Sequence, residues 1–259
     1  MDDYYLDEKG LAAYFEAQWL DKVREAGFEE PLQSCSKQVP DSFIQSPFFV
    51  SIAELINNSL AKTKLMPETM LEVGSALGRN CYELVKNNST LSDITLVEPS
   101  ERLLSNFKNL LTFPGVHSFP YIKGLKELAW LDFNTSGIAS GCAHINFKLI
   151  NQVFDSSTVD ASYDLTVCLN VLDQCESPTK IVEALMGATR IGGVLVLSTT
   201  YQWSKTHLLD GDEAVDDINS YFNADWKKLN ESDIEYRFRY NERYSKLFLS
   251  HVVVYLRNS

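Results

Sequence analysis

Two glycines and one carboxylate carry the most informative spacing in the chain. Gly74 and Gly78 bracket Ser75-Ala76-Leu77 directly after the apolar run Met70-Leu71-Glu72-Val73. Gly74 lets the backbone turn sharply without a Cβ clash, and Gly78 lets a ligand approach the start of the helix that follows. The dinucleotide fingerprint G-x-G-x-x-G is absent, because Ser75-Ala76 stands where its central glycine would be. That argues against a pyrophosphate in the turn. Glu98 lies in Val97-Glu98-Pro99-Ser100, where the next apolar run ends. A carboxylate there accepts hydrogen bonds from both hydroxyls of a ribose. Together the turn and the acidic strand end point to an adenosyl ligand; the alternative is a plain turn beside a solvated carboxylate.

Such a constellation has to be held by strands alternating with helices. Leu11, Phe15, Trp19 and Val23 recur at four-residue spacing as one helix, stopped by Gly27. Ser46-Pro47 caps and opens a second, with Phe48, Phe49, Ile52, Leu55, Ile56 and Leu60 along one side. From residue 67 onward, strands are expected over 70–73, 94–97, 145–150, 165–169 and 194–197. Helices fall over 79–86, around Leu103, Leu104, Phe107, Leu110 and Leu111, and after Ser177-Pro178, the last broken by Gly192-Gly193. Residues 112–143 read as a long irregular segment with a short helix over 125–130. Ile234, Tyr236, Phe238 and Tyr240 alternate, and a turn over 241–245 leads to a strand over 247–256. The pattern predicts an α/β fold: a Rossmann-like, doubly wound, seven-stranded sheet of five parallel strands plus a C-terminal antiparallel hairpin, with N-terminal helices. The expected division is a helical cap over 1–62 and a ligand-binding core over 63–259.

Bulk properties narrow the function classes. Thirty-five acidic against 23 basic residues give a formal charge of −12, which repels phosphate backbones and anionic lipid, so neither nucleic acid nor membrane is expected as a partner. Five cysteines without CxxC spacing and four histidines without ligand spacing argue against a metal and read as reduced thiols of a cytoplasmic protein. The expected partner is a small molecule or peptide; oligomeric state is not legible. Arg79 opens a helix, where its charge opposes the dipole. It therefore calls for a partner carboxylate, from a ligand or from a surface ion pair.

Leu71 to Gly78 and Leu96-Val97-Glu98-Pro99 resemble the first and second motifs of class I S-adenosylmethionine-dependent methyltransferases. Tyr163-Asp164-Leu165-Thr166-Val167-Cys168-Leu169-Asn170 and Ile191-Gly192-Gly193-Val194-Leu195-Val196-Leu197 resemble their fourth and fifth strands. The resemblance spans residues 65–203 and implies S-adenosylmethionine as cofactor. It implies Glu72, Gly74, Ser75, Gly78, Arg79, Glu98, Pro99 and Asn170 around that cofactor, with Glu72 on the methionine amino group. Asn151, beside Gln152, stands where an acidic residue often reads the adenine amine.

Two narrower resemblances concern the acceptor. Gly74 to Arg79 and Leu197-Ser198-Thr199-Thr200-Tyr201-Gln202-Trp203 are similar to the mercaptohistidine N-methyltransferases of ovothiol biosynthesis. Tyr163 to Cys175 resembles the DREV protein-histidine methyltransferases. Both imply an N-methyltransferase with an imidazole acceptor: histidine, thiohistidine or a histidine-containing molecule. A free imidazole has a pKa of ~6.5 and is largely neutral at pH 7, so one ring nitrogen already offers a lone pair. Asp173 is the candidate acceptor for the other nitrogen's hydrogen, with Asn170 and Tyr201 as candidates to orient the ring or cofactor. Tyr5, Tyr201 and Trp203 are candidate substrate contacts, against core packing as the alternative. Residues 112–143 and 210–225 match neither family. Another amine, a carboxylate or a thiol is the alternative acceptor class, and a non-catalytic S-adenosylmethionine-binding protein the alternative to an enzyme.

Overall fold

The computed structural model describes residues 7–28, 48–125, 127–203, 214–241 and 243–259. Tyr5 and the Ser46-Pro47 cap lie outside them. Helix α1 (Glu8–Glu25) starts at Asp7, whose carboxylate accepts from the Gly10 N–H at 2.9 Å, and ends on Lys22 and Arg24. Both ends thus complement the helix dipole. Its Leu11, Phe15, Trp19 and Val23 are buried as their spacing requires, and α2 (Phe48–Thr63) buries Phe48, Ile52, Ile56 and Leu60.

Next come β1 (Thr69–Val73), α3 (Arg79–Asn87), β2 (Asp93–Val97) and α4 (Glu101–Leu111), the last capped by Ser100 Oγ on the Leu103 N–H at 3.1 Å. After β3 (Val116–Lys123), β4 (Glu127–Asn134) and α5 (Ser136–Gly141), the alternation resumes. It continues through β5 (Asn146–Ile150), β6 (Tyr163–Leu169), α6 (Pro178–Ala188) and β7 (Thr189–Thr199), and ends in β8 (Trp226–Asn241) and β9 (Tyr244–Arg257).

Seven strands form one sheet in the order β5-β2-β1-β6-β7-β9-β8, with β9 antiparallel to both neighbours and the first five strands parallel. Side-chain alternation divides the sheet between two cores. Met70, Leu96, Leu165, Val167 and Val196 pack with Phe15, Trp19, Ile52, Leu84 and Phe107 on one face. Leu71, Val97, Cys168, Leu195 and Leu197 pack with Ile181, Val182 and Leu185 of α6 on the other.

Strand order reverses between β1 and β6. In such sheets ligands enter the crevice outside the carboxyl ends of the strands at that point.

Two expectations need correction. Residues 112–143 are not irregular, and no helix covers 125–130: β3 and β4 pair antiparallel from Val116↔Asn134 to Lys123↔Glu127 as a separate two-stranded sheet. Phe119, Pro120, Tyr121 and Ile122 are all buried in succession, so period-two alternation is missing from the sequence. Pro120 is tolerated because a two-stranded ribbon has only edges. Gly192-Gly193 does not end the preceding helix either. That helix ends at Ala188, and β7 starts at Thr189 and runs through both glycines; a Cβ on Gly193 would sit 2.9 Å from the Tyr163 and Arg190 carbonyls.

The hairpin β8–β9 also extends further than its sequence alternation shows. Pairing of β9 with β7 stops at His251↔Thr199, at the carboxyl end of β7. Pairing with β8 continues from Ile234↔Ser250 to Arg239↔Ser245. The hairpin therefore overhangs the ligand edge of the sheet. Helix α1 is pinned against it by a buried pair, Arg239 Nε to Glu16 Oε2 at 2.6 Å, while Glu16 Oε1 accepts from the Ile122 N–H of β3 at 2.7 Å.

Candidate active site

A cavity of about 610 Å³ opens at the carboxyl ends of β1, β2, β6 and β7, under α1 and the overhanging hairpin. Its floor is the turn from β1 to α3. Gly74 (φ +74°) and Gly78 (φ +77°) both adopt left-handed backbone, and neither has room for a side chain. A Cβ would meet Val171 Cγ2 at 2.2 Å and the Phe107 ring at 2.3 Å, respectively. Between them Ala76 holds φ +46° without glycine's freedom. Asn170 (φ +53°) and Tyr201 (φ +56°), after the ends of β6 and β7, do the same. Strained backbone gathered at the ends of three adjacent strands makes this edge the candidate site, since the surrounding fold must stabilise it.

Carboxylates line the turn. Glu98, 3% exposed, accepts from the Ala76 N–H at 3.1 Å and the Ser100 N–H at 3.0 Å, so it holds the turn as well as facing the cavity. Glu72, equally buried, accepts from Asn80 Nδ2 at 3.0 Å through one oxygen. Its other oxygen, together with Ser75 Oγ and Asn80 Oδ1, is buried without a hydrogen-bond partner. Each such group costs about 1–3 kcal/mol when left unmet. Burial pushes the Glu72 carboxyl up to about 8, helped by the charge of Glu98 and opposed by the Asn80 bond.

The opposite wall comes from β6 and the segment after β7. Asn170 Oδ1 accepts from Ser198 Oγ at 3.1 Å and Ser250 Oγ at 2.9 Å, which locks its amide over β7 and β9. Asp173, on the 3₁₀ turn Leu172–Gln174, is 4% exposed and accepts from Thr200 Oγ1 at 2.6 Å. Burial raises its carboxyl above the usual range, against the bonds from Thr200 and Gln174. Trp203 faces the cavity with its indole N–H fixed on the Val215 carbonyl at 3.0 Å.

Of the residues singled out from sequence, Glu72, Gly74, Ser75, Glu98, Pro99, Asn170, Asp173 and Trp203 line this one cavity. Gly78, Arg79, Asn151, Gln152 and Tyr201 do not. The Arg79 guanidinium is 3% exposed and spans both oxygens of Asp21, Glu83 Oε1 and the Gln18 carbonyl. Its partner carboxylates are thus the protein's own, and they join α1 to α3. Asn151 donates to the carbonyls of Glu98 (3.1 Å) and Pro99 (2.9 Å), and Gln152 to Thr158. The Tyr201 hydroxyl lies 2.6 Å from His251 Nδ1 and accepts from the Ile218 N–H, while His251 Nε2 meets Glu231 at 2.8 Å.

Sequence reasoning missed the outer part of the cavity: Phe48, Phe49, Tyr236, Phe238, Tyr240, Phe248 and Lys246. The signal was the aromatic alternation along β8, which reads equally well as ordinary sheet packing.

Solved structures with this architecture share little sequence with the chain. The N-methyltransferase NodS from Bradyrhizobium japonicum WM9, in complex with S-adenosyl-L-homocysteine, superposes with a TM-score of 0.53 over 90% of this chain and 98% of that one, at 12% identity. Magnesium protoporphyrin IX methyltransferase (ChlM) from Synechocystis PCC 6803, with bound S-adenosylmethionine, gives 0.53 over 97% and 98%, at 14% identity. The chain has the class I methyltransferase fold. A ubiquinone biosynthesis O-methyltransferase of Hydrogenovibrio crunogenus (strain DSM 25203 / XCL-2) is 25% identical over 142 residues, 55% of this chain. The chain spans about half the length of that relative, 46%. No protein-family model matches. Among the described residues no helix is long and apolar enough to cross a membrane.

Proposed function

We propose that this class I methyltransferase fold binds S-adenosylmethionine and N-methylates an imidazole ring in a histidine, thiohistidine or histidine-containing acceptor. One observation carries the cofactor reading: three buried polar atoms without partners, on Glu72, Ser75 and Asn80, cluster around the strained turn beside the buried Glu98. An amino-acid ammonium suits the open oxygen of Glu72, and a ribose diol suits Glu98, which is already oriented by two N–H groups. When bound, S-adenosylmethionine supplies a methyl group on a positively charged sulfur.

The protein's part is alignment and exclusion of water, because displacement at a methyl carbon requires nucleophile and leaving group in line. In this reading Asp173 accepts the ring N–H and stabilises positive charge growing on the imidazole. Asn170 is held by Ser198 and Ser250 and serves as a fixed edge against which ring and cofactor register. No general base is needed when the ring is neutral. The motif similarities to two imidazole-methylating families favour this acceptor over another amine.

A second reading, transfer to a hydroxyl, is favoured by the partial similarity to an O-methyltransferase. Methyl-labelled S-adenosylmethionine offered with histidine, thiohistidine, carnosine, histidine-containing peptides and catechols separates the two. Label is expected in an imidazole product. Label in the catechols alone overturns the acceptor, and absence of S-adenosylhomocysteine binding by calorimetry overturns the cofactor.

A further inference from the structure

We propose that the outer part of the cavity is a binding subsite for an acceptor with an apolar or aromatic body and a carboxylate remote from the methylated atom, with Lys246 as the carboxylate's partner. This rests on the reading of the inner part as the methyl-donor site.

Strand alternation defines the subsite. In the overhang, Ile234↔Ser250, Tyr236↔Phe248 and Phe238↔Lys246 are cross-strand pairs and share one face of the hairpin. Ser250 reaches Asn170, so this face continues directly from the inner wall. Beyond it the rings are tightly set: Tyr236 stands 6.2 Å from Phe248 and 4.8 Å from Phe48, and Phe238 meets Tyr14 edge-on at 5.0 Å. On the other face of the hairpin Leu247 and Leu249 are exposed, while Arg239 is buried on Glu16 of α1. A chamber with aromatic walls selects a planar or apolar body.

Charge fixes the orientation. The inner wall carries the carboxyls of Glu72, Glu98 and Asp173 and offers an anion no counterion, while Lys246 is the only basic side chain among the described residues lining the cavity. Its ammonium lies 5.2 Å from the Tyr240 ring centroid and makes no ion pair with any carboxylate among the described residues. In a chain of net charge −12, a cation at a cavity wall with no carboxylate partner among the described residues suits an anionic ligand. Lys246 and Ser250 stand four residue steps apart, about 14 Å of strand at ~3.4 Å per residue. The geometry therefore favours an elongated acceptor, such as a histidyl peptide with a free C-terminus, over free histidine.

The test is calorimetry on the S-adenosylhomocysteine-loaded protein with two uncoupled probes, 4-phenylbutyrate and 4-phenylbutyramide, on wild type, Lys246→Gln and Lys246→Arg. The acid is expected to bind about tenfold more tightly than the amide, as for one charge-assisted contact. Lys246→Gln should erase that difference with the amide unchanged, and Lys246→Arg should keep it. Equal binding of acid and amide to wild type, or equal weakening of both by Lys246→Gln, overturns the subsite. Retained S-adenosylhomocysteine affinity certifies that each variant is folded. In parallel, methyl transfer to histidylglycine is compared with its C-terminal amide. Acid selectivity without methylation of any imidazole supports the subsite and overturns the imidazole reading; methylation without acid selectivity does the reverse.

Discussion

Glu72 is buried with one carboxylate oxygen on Asn80 and the other on nothing. Its carboxyl is raised from 4.5 to about 8, so the folded, ligand-free protein keeps a proton that the unfolded chain gives up. The stability this contributes is complete below pH 4.5 and is lost as pH rises toward 8. Glu72→Gln should remove that slope and raise the melting temperature of the ligand-free protein at pH 8, by an amount on the order of a few kcal/mol in stability. The same variant should weaken S-adenosylhomocysteine binding at least tenfold; thermal scans across pH and a calorimetric titration read the two effects. A variant that binds the ligand normally would remove Glu72 from the site. Gly74 allows a second prediction at this scale. Gly74→Ala forces a Cβ into Val171 at a positive φ, which should cost about 1–3 kcal/mol in a urea titration and abolish ligand binding.

Among the elements, α1 and the β8–β9 overhang do most to enclose the cavity, and the Glu16–Arg239 pair joins them across 223 residues of sequence. Removing one partner from a buried pair strands the other charge. Arg239→Met is therefore expected to cost about 3–5 kcal/mol by chemical denaturation, and the double variant Glu16→Met/Arg239→Met to recover much of it. No recovery would mean that the pair's other contacts, not the charge, carry the effect. This enclosure was also the least legible part of the sequence. The glycine turn and Glu98 could be read directly, because turn chemistry and strand ends are local properties. The hairpin over 116–134 could not, since Phe119 to Ile122 are buried on both faces and show no period. Arg79 advertised its need for a carboxylate, but Asp21 lies 58 residues away and only packing of α1 brings it near. Tyr201 turns toward His251 through a left-handed backbone that residue type does not announce.

Across the whole molecule, the acidic balance and the location of the cavity act together. A surface of formal charge −12 opposes long phosphate backbones, so no shift of tRNA or duplex DNA is expected in gel assays at ~0.15 M salt; a salt-sensitive complex would contradict this. The five parallel strands follow from alternation in the sequence, whereas their order, with its reversal between β1 and β6, is set by tertiary pairing. The placement of β9 between β7 and β8 has a kinetic side. During synthesis β8 emerges first, yet it has no neighbour in the sheet until β9 forms and inserts beside β7. Sixteen residues of strand with alternating aromatic side chains thus wait as an unpaired edge, the state in which chains most readily join one another. Refolding yield should fall steeply with protein concentration, and a chaperone that shields bare strands should restore it.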